Sequence, residues 1–277
     1  MMYEKSLPGT VHLGYQYNVN IRLREKILCE LTLHAISLAN ASKSSPSNMD
    51  MDFVSLDIGC GSGHLLKACS ERGLQIEGAD FDPVCVKLSE RFAKTRLIGD
   101  ENLQDYFEER SFDCVVFSHS LEHFDSPLDA VQQAKRISRR FLILAIPNPC
   151  RLQTVLIINP LRYDYSNLGH LCCWDRSHFT VFLTQRCGLK ILKWGTYKMG
   201  IISLLPTFLK ALKGEKTKRQ RLEIQDIEKY AESDRKKRFS PIVRKAFEPL
   251  EVAAGRMFPY LADELFVLTE ISENERG

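Results

Sequence analysis

The sequence predicts an α/β fold, a doubly wound and mostly parallel sheet with helices on both faces. Three observations carry that prediction. From Phe53 to about residue 150, short apolar runs alternate with amphipathic segments, the pattern of linked strand–helix–strand units. Val54–Gly63, VSLDIGCGSG, reads as a buried strand entering a turn with glycine at every second position. A second strand-like run, QIEGAD, ends in Asp80, 17 residues after Gly63. Alternate glycines let a backbone approach a ligand with no Cβ in the way. A carboxylate one strand over can accept both hydrogen bonds of a ribose diol. Together they make a nucleoside-binding half-site.

The elements follow in order. Residues 18–41 place Ile21, Leu28, Leu31, Ala35 and Leu38 at helical spacing, and the stretch SKSSPSNMD then breaks the chain. FVSLDIG is the first strand, and residues 63–72 form a helix ended by Gly73. QIEGAD is the second strand, after which Pro83 opens a helix at a favoured first-turn position. RLIGD is a short third strand and FDCVVFSH the fourth. LDAVQQAKRIS is helical, and FLILAIPN is a fifth strand stopped by Pro147 and Pro149. Residues 150–177 have no clear period. HFTVFLTQRCG reads as a helix with a glycine at its end, and LKILKWGTYKM and DELFVLTEI read as strands. Between those two strands, 201–260 begins apolar and turns highly charged. The expected organisation is an N-terminal helical cap and linker (1–52), a cofactor-binding core (53–200), a helical insertion or lid (201–260), and a last strand and tail (261–277).

At 277 residues, the chain is long enough for one large α/β domain with an elaboration, or for two small ones. Its 44% hydrophobic and 26% charged residues are ordinary for a soluble globular protein. A net charge of +3 is too small to argue for nucleic acid as a partner. The nine cysteines sit mostly in apolar runs without disulfide-like spacing, which fits a reducing compartment. MMYEKSLPGTVHLG has no apolar core of a signal peptide, and no apolar stretch reaches the roughly 20 residues a bilayer span needs. The expectation is a cytoplasmic protein.

A strand–GxGxG turn could hold a dinucleotide or S-adenosylmethionine. The dinucleotide fingerprint is G-x-G-x-x-G, with a pyrophosphate on the helix N-terminus. Here Gly63 comes one residue early, and His64 and Leu65 follow it. That spacing disfavours an NAD(P)-dependent oxidoreductase.

The pattern Asp57-x-Gly59-x-Gly61-x-Gly63 resembles motif I of the class I S-adenosylmethionine-dependent methyltransferases. GADFDP, GDENL, FDCVVFSHSLEHF and AIPNP resemble that family's later strand ends, in the same order. The resemblance implies a Rossmann-like, seven-stranded, mostly parallel sheet with an antiparallel last strand and here a helical insertion. It also implies S-adenosylmethionine as cofactor. Gly59, Gly61 and Gly63, with Cys60 among them in the turn, would let the methionine part lie against the backbone. Asp57 would order the turn and attract the ammonium group. Asp80 would hold the ribose hydroxyls, with Phe81 packing beside the adenosine. Asp100 would accept from the adenine amino group, and Ser118 would face the sulfonium end. Instead of the family's usual Pro-Gly-Gly-like turn before the fifth strand, this chain has ISRRFLIL.

Ligands of open parallel sheets sit beyond the carboxyl ends of the strands, so the methyl acceptor should meet residues after strands four and five. His119, Glu122 and His123 form one candidate group, because a nucleophile often needs a base and histidine titrates in the right range. GHLCCWDRSHF forms a second, with His170, Trp174, Asp175, Arg176 and His178 as candidate pocket residues. His123, His119 and His178 are the expected catalytic residues. In ubiquinone-pathway O-methyltransferases a similar Glu-x-x-Glu-His segment is associated with a divalent metal. Here His119 stands in place of the first Glu, and no resident metal is expected. Adjacent Cys172 and Cys173 match no zinc spacing. The expected partner is a small or medium-sized acceptor, lipid-like if 201–213 meets a membrane, with oxygen favoured as target atom. The alternative is a non-catalytic S-adenosylmethionine-binding regulator. The tip SHSLEH lacks the Asn/Asp-Pro-Pro-aromatic tetrad of amino-directed DNA enzymes, so nucleic acid is not expected as substrate.

Overall fold

The computed structural model describes residues 19–41, 53–99, 102–158, 170–195, 197–201 and 241–272, with single positions at 204, 208, 209 and 212. Seven strands form one sheet: β1 Val54–Ile58, β2 Gln75–Asp80, β3 Thr95–Leu97, β4 Phe112–Ser118, β5 Ser138–Pro147, β6 Leu189–Gly195 and β7 Glu264–Ile271. The described helices are α1 Val19–Ala41, α2 His64–Ser70, α3 Pro83–Ser89, α4 Pro127–Ile137, α5 Arg176–Val181 and α6 Pro241–Met257. The strand order is β3-β2-β1-β4-β5-β7-β6. β1 to β5 pair in parallel, and β7 runs antiparallel to both of its neighbours. The expected sheet is therefore present, and the switch in strand order lies between β1 and β4, where such sheets bind their ligands.

The core explains why the central strands read as unbroken apolar runs. Alternate residues of β4 and β5 enter opposite layers. Val115, Phe117, Leu142 and Leu144 pack with Val131, Ala134 and Ile137 of α4. Cys114, Val116, Phe141 and Ile143 pack with Leu28, Leu31 and Ala35 of α1 and with Leu66 of α2. A strand buried on both faces has no polar side to show. α1 lies close over β6, where a Cβ on Gly195 would come within 2.8 Å of the Ile27 side chain.

Local chemistry sets the boundaries. Asp82 caps α3, its Oδ1 accepting from Val84 N at 2.8 Å, with Pro83 as the first helical residue. Ser126 and Pro127 open α4 in the same way. The missing Pro-Gly-Gly turn has a plain structural consequence: α4 ends at Ile137 and β5 starts at Ser138 with no loop between them. α5 is shorter than the predicted helix, because the segment continues as a wider turn over Phe182–Arg186 before Gly188 closes it at φ 68°.

Asp100 and most of the predicted insertion, 202–240, fall outside the described residues. Of the stretch expected to face a membrane, Ile201, Phe208, Leu209 and Leu212 are exposed. Among the described residues no helix is long and apolar enough to cross a membrane.

Candidate active site

The glycine turn is built by φ angles that side chains resist. Gly59, Gly61 and Gly63 adopt φ of 75°, 55° and 81°, the left-handed region that glycine enters without steric penalty. Gly59 and Cys60 donate from their backbone nitrogens to Ala79 O at 2.8 and 3.0 Å, tying the turn to β2. Space separates two of the glycines. A Cβ on Gly59 would lie 2.5 Å from Ser120 Cβ, whose Oγ in turn donates to Ile58 O at 2.6 Å. A Cβ on Gly61 would meet nothing within 4 Å. Gly59 is thus required by packing, whereas Gly61 presents bare backbone to an open crevice. The Cys60 side chain turns inward, where burial, then Asp57 and Asp80, push its thiol well up. Cys60 therefore offers the crevice only its backbone.

Two carboxylates flank this turn. Asp80, at the end of β2, is buried and accepts from Gly61 N at 2.7 Å and from Asp82 N at 2.9 Å. Each oxygen holds one backbone donor and keeps lone-pair capacity for another, which suits a vicinal diol. Asp82, not Asp80, caps α3, so Asp80 has no duty as a helix cap. Asp57 is buried at the end of β1, and its Oδ1 finds no hydrogen-bond partner among the described residues. Burial, helped by the Asp80 charge, raises its carboxyl to about 8. A buried carboxyl with one unpartnered oxygen fits a cationic ligand group such as an α-ammonium, beside which it would ionise. Phe81 is partly exposed and packs edge-on against Phe124 at 5.7 Å, which packs edge-on against Phe117 at 5.9 Å. This leaves Phe81 one side for a base or sugar. Ser118 closes β4 half-buried.

Beyond Ser118 lie the residues expected from the sequence on the acceptor side. His119 is one of only two non-glycine residues at positive φ among the described residues (φ 57°). Its Nε2 lies 3.1 Å from Glu264 Oε2, and its Nδ1 lies 3.5 Å from Glu122 Oε1. Glu264 is held in turn by Arg24, whose Nε and one terminal nitrogen donate side-on to its two oxygens at 2.9 and 2.6 Å. Burial and Arg24 oppose protonation of His119, but Glu264 and Glu122 outweigh them and its pKa is raised. Burial alone would raise the Glu122 carboxyl, but the nearby His119 and His123 rings bring it below the ordinary value, although neither carboxylate oxygen meets a hydrogen-bond donor among the described residues. His170 Nε2 lies 3.8 Å from Glu122 Oε1, and the His170 ring meets His123 edge-on at 4.9 Å. Burial, followed by the neighbouring cations against the pull of Glu122, lowers His170 to about 4. The backbone secures this arrangement, since Leu171 N and Cys172 N both donate to Glu122 O, at 2.8 and 3.2 Å.

The structure therefore joins the two predicted acceptor groups through Glu122, but not as the residue types suggested. His119 is turned toward β7. His178 sits exposed at the start of α5, where its Nδ1 meets Asp175, the cap of that helix. Trp174 packs against Phe179 and Phe182. Arg176 stacks over the Trp194 and Tyr260 rings. No metal was expected from the sequence, but Glu122, His123 and His170 bring one potential ligand atom each within 4.8 Å of one another, a spacing that a divalent cation could bridge. Sequence reading missed Arg24 and Glu264. They lie 240 positions apart, and no local pattern announces their pairing.

Comparison with known proteins agrees with this geometry. A family model described as a methyltransferase domain matches residues 24–193, and the chain belongs to that family. Its sheet order and glycine turn are those of the class I methyltransferase fold. Over 121 residues it is 30% identical to the ubiquinone biosynthesis O-methyltransferase of Alkalilimnicola ehrlichii. That match covers 41% of this chain, and the chain spans about half (46%) of that relative's length. The magnesium protoporphyrin IX methyltransferase of Synechocystis PCC 6803, solved with S-adenosylhomocysteine bound, shares the fold with TM-score 0.51 and 12% identity over 93% of this chain and 89% of that one. The [4+2]-cyclase SpnF shares it with TM-score 0.51 and 15% identity over 89% and 81%.

The residues present fit S-adenosylmethionine. Asp57 would pair with its ammonium, Gly61 would present an open backbone edge, and Asp80 would offer remaining lone pairs to its ribose.

Proposed function

We propose that this methyltransferase transfers a methyl group to an oxygen of a small or medium-sized acceptor bound beyond β4 and β5. S-adenosylmethionine supplies the methyl group, already activated on a sulfonium. The chain's part is to hold the acceptor in line and to take its proton. The observation that carries this reading is the trio Glu122, His123 and His170 just past Ser118. His170, lowered to about 4, is neutral at physiological pH and can accept a proton or orient His123. The buried Glu122 carboxylate compensates the imidazolium that results. The partial match to an O-methyltransferase supports oxygen as the target atom.

The test is S-adenosylhomocysteine release with a panel of phenols, catechols and aliphatic alcohols, compared with amines of similar size. Release with amines but with no hydroxyl compound would overturn the choice of oxygen. His123→Ala and His170→Ala should each lower turnover at least tenfold, since a positioned base contributes about 10²–10⁴-fold, with cofactor affinity unchanged. The 4.8 Å grouping also favours a second reading, a divalent cation in place of a histidine base. Turnover that survives exhaustive chelation supports the base. Turnover lost to chelation and restored by a divalent ion supports the cation.

A further inference from the structure

We propose that Arg24, on α1, is a positioning residue for the acceptor side of the site and acts through Glu264 and His119. The inference rests on the methyl-transfer reading only for what the positioned groups do. Its geometry is independent of that reading.

Three observations lead there. His119 holds a left-handed backbone conformation that a side chain adopts only against steric resistance. Such a residue persists only where its surroundings over-determine it. Its surroundings are the Ala145 carbonyl, which accepts from His119 N at 2.9 Å, and the Glu264 and Glu122 carboxylates, which approach its two ring nitrogens to 3.1 and 3.5 Å as ion-pair contacts outside hydrogen-bond geometry. Glu264 is nearly fully buried and is gripped side-on by Nε and one terminal nitrogen of Arg24. A bidentate guanidinium–carboxylate pair fixes direction as well as charge. Arg24 therefore aims Glu264, Glu264 fixes His119, and His119 sets the Glu122 carboxylate that lies between it and His170. The same helix reaches the other half of the site: Glu25, the next residue, places Oε1 3.7 Å from Nδ1 of His64, immediately after Gly63. Consecutive residues of α1 thus reach the residue that follows the glycine turn and, through Glu264, the histidine that follows β4.

A passive ion pair and a positioning one predict different results. The experiment uses the full chain with ¹⁵N-labelled histidine, with ring signals assigned by single His→Gln changes. Spectra are recorded at one pH with saturating S-adenosylhomocysteine. Arg24→Gln should move the ring signals of His119, His123 and His170, while S-adenosylhomocysteine affinity by calorimetry stays within about threefold. Glu264→Asp is the sharper variant. It keeps a carboxylate beside Arg24 but draws it one methylene back from His119, so the three signals should move here too, with little change in melting temperature. Unmoved rings in Glu264→Asp would overturn the proposal, because the pair would then be a local staple. If Arg24→Gln fails to fold, Glu264→Asp decides alone. If the acceptor assignment is wrong but the relay is right, the rings still move and the His123→Ala and His170→Ala turnover effects are absent, so the two failures can be told apart.

Discussion

At the scale of single residues, the site separates groups that look alike in the sequence. Asp57 and Asp80 both end buried strands, yet Asp80 is satisfied by two backbone donors and Asp57 keeps an orphan oxygen. Two predictions follow from that difference. Asp80→Ala should weaken S-adenosylhomocysteine binding by roughly ten- to a hundredfold, the worth of charge-assisted hydrogen bonds at about 1.5–3 kcal/mol. Calorimetry checks it, and unchanged affinity would remove Asp80 from the cofactor site. Asp57, raised to about 8 when unliganded, is mostly protonated at pH 7 and should ionise beside the cofactor's ammonium. Binding at pH 7 should therefore release a proton, seen as a dependence of the binding heat on buffer ionisation enthalpy, and Asp57→Asn should abolish that dependence. The three predicted catalytic histidines also divide. His123 meets His170, His119 is drawn to Glu264, and His178 lies on the surface with Asp175. Composition cannot rank them, because the ranking depends on what each ring touches.

At the scale of elements, the glycine turn works as a unit with distinct duties at its positions. Gly59→Ala collides with Ser120 and strains φ, so it should destabilise the protein by more than the roughly 1–2 kcal/mol that a left-handed alanine alone costs. Gly61→Ala enters open space and should lose only about that strain in stability, while it narrows the crevice and weakens cofactor binding. Denaturant melts and calorimetry on both variants check the contrast, and equal stability losses would contradict it. The turn was legible in the sequence because spacing of glycines is a local property. The acceptor cluster was legible in part. His119, Glu122 and His123 share one short segment, but their junction with His170 depends on Leu171 and Cys172 hydrogen-bonding back to Glu122. A segment without hydrophobic period gives no hint of that docking.

At the scale of the whole molecule, buried ionisable groups give stability a pH dependence whose sign can be worked out. Asp57 has a folded value of about 8 against about 3.9 unfolded. Between those values the folded chain holds a proton that the unfolded chain has lost, so the stabilisation is full below about 3.9 and declines as pH rises toward 8. His119 acts in the same direction: its raised value gives stability that is present below about 6.5 and lost as pH rises through the folded value. Glu122, with its lowered value, acts oppositely, and its contribution is lost only in acid. The ligand-free protein should therefore melt at a lower temperature at pH 8.5 than at pH 6, and Asp57→Asn should flatten that slope. A melting temperature that rises over this interval would contradict the assignment.

The sequence by itself determined the alternating α/β order, the cofactor turn and the carboxylate on the next strand. These are written in local periodicity and short spacings, which a linear chain carries directly. The tertiary structure decided which histidine meets His170, that one oxygen of Asp57 is left without a donor, and that Arg24 of α1 grips the first residue of the last strand. Those outcomes come from contacts between residues far apart in the chain, where the packing of both sheet faces, not any neighbouring residue, fixes the partner.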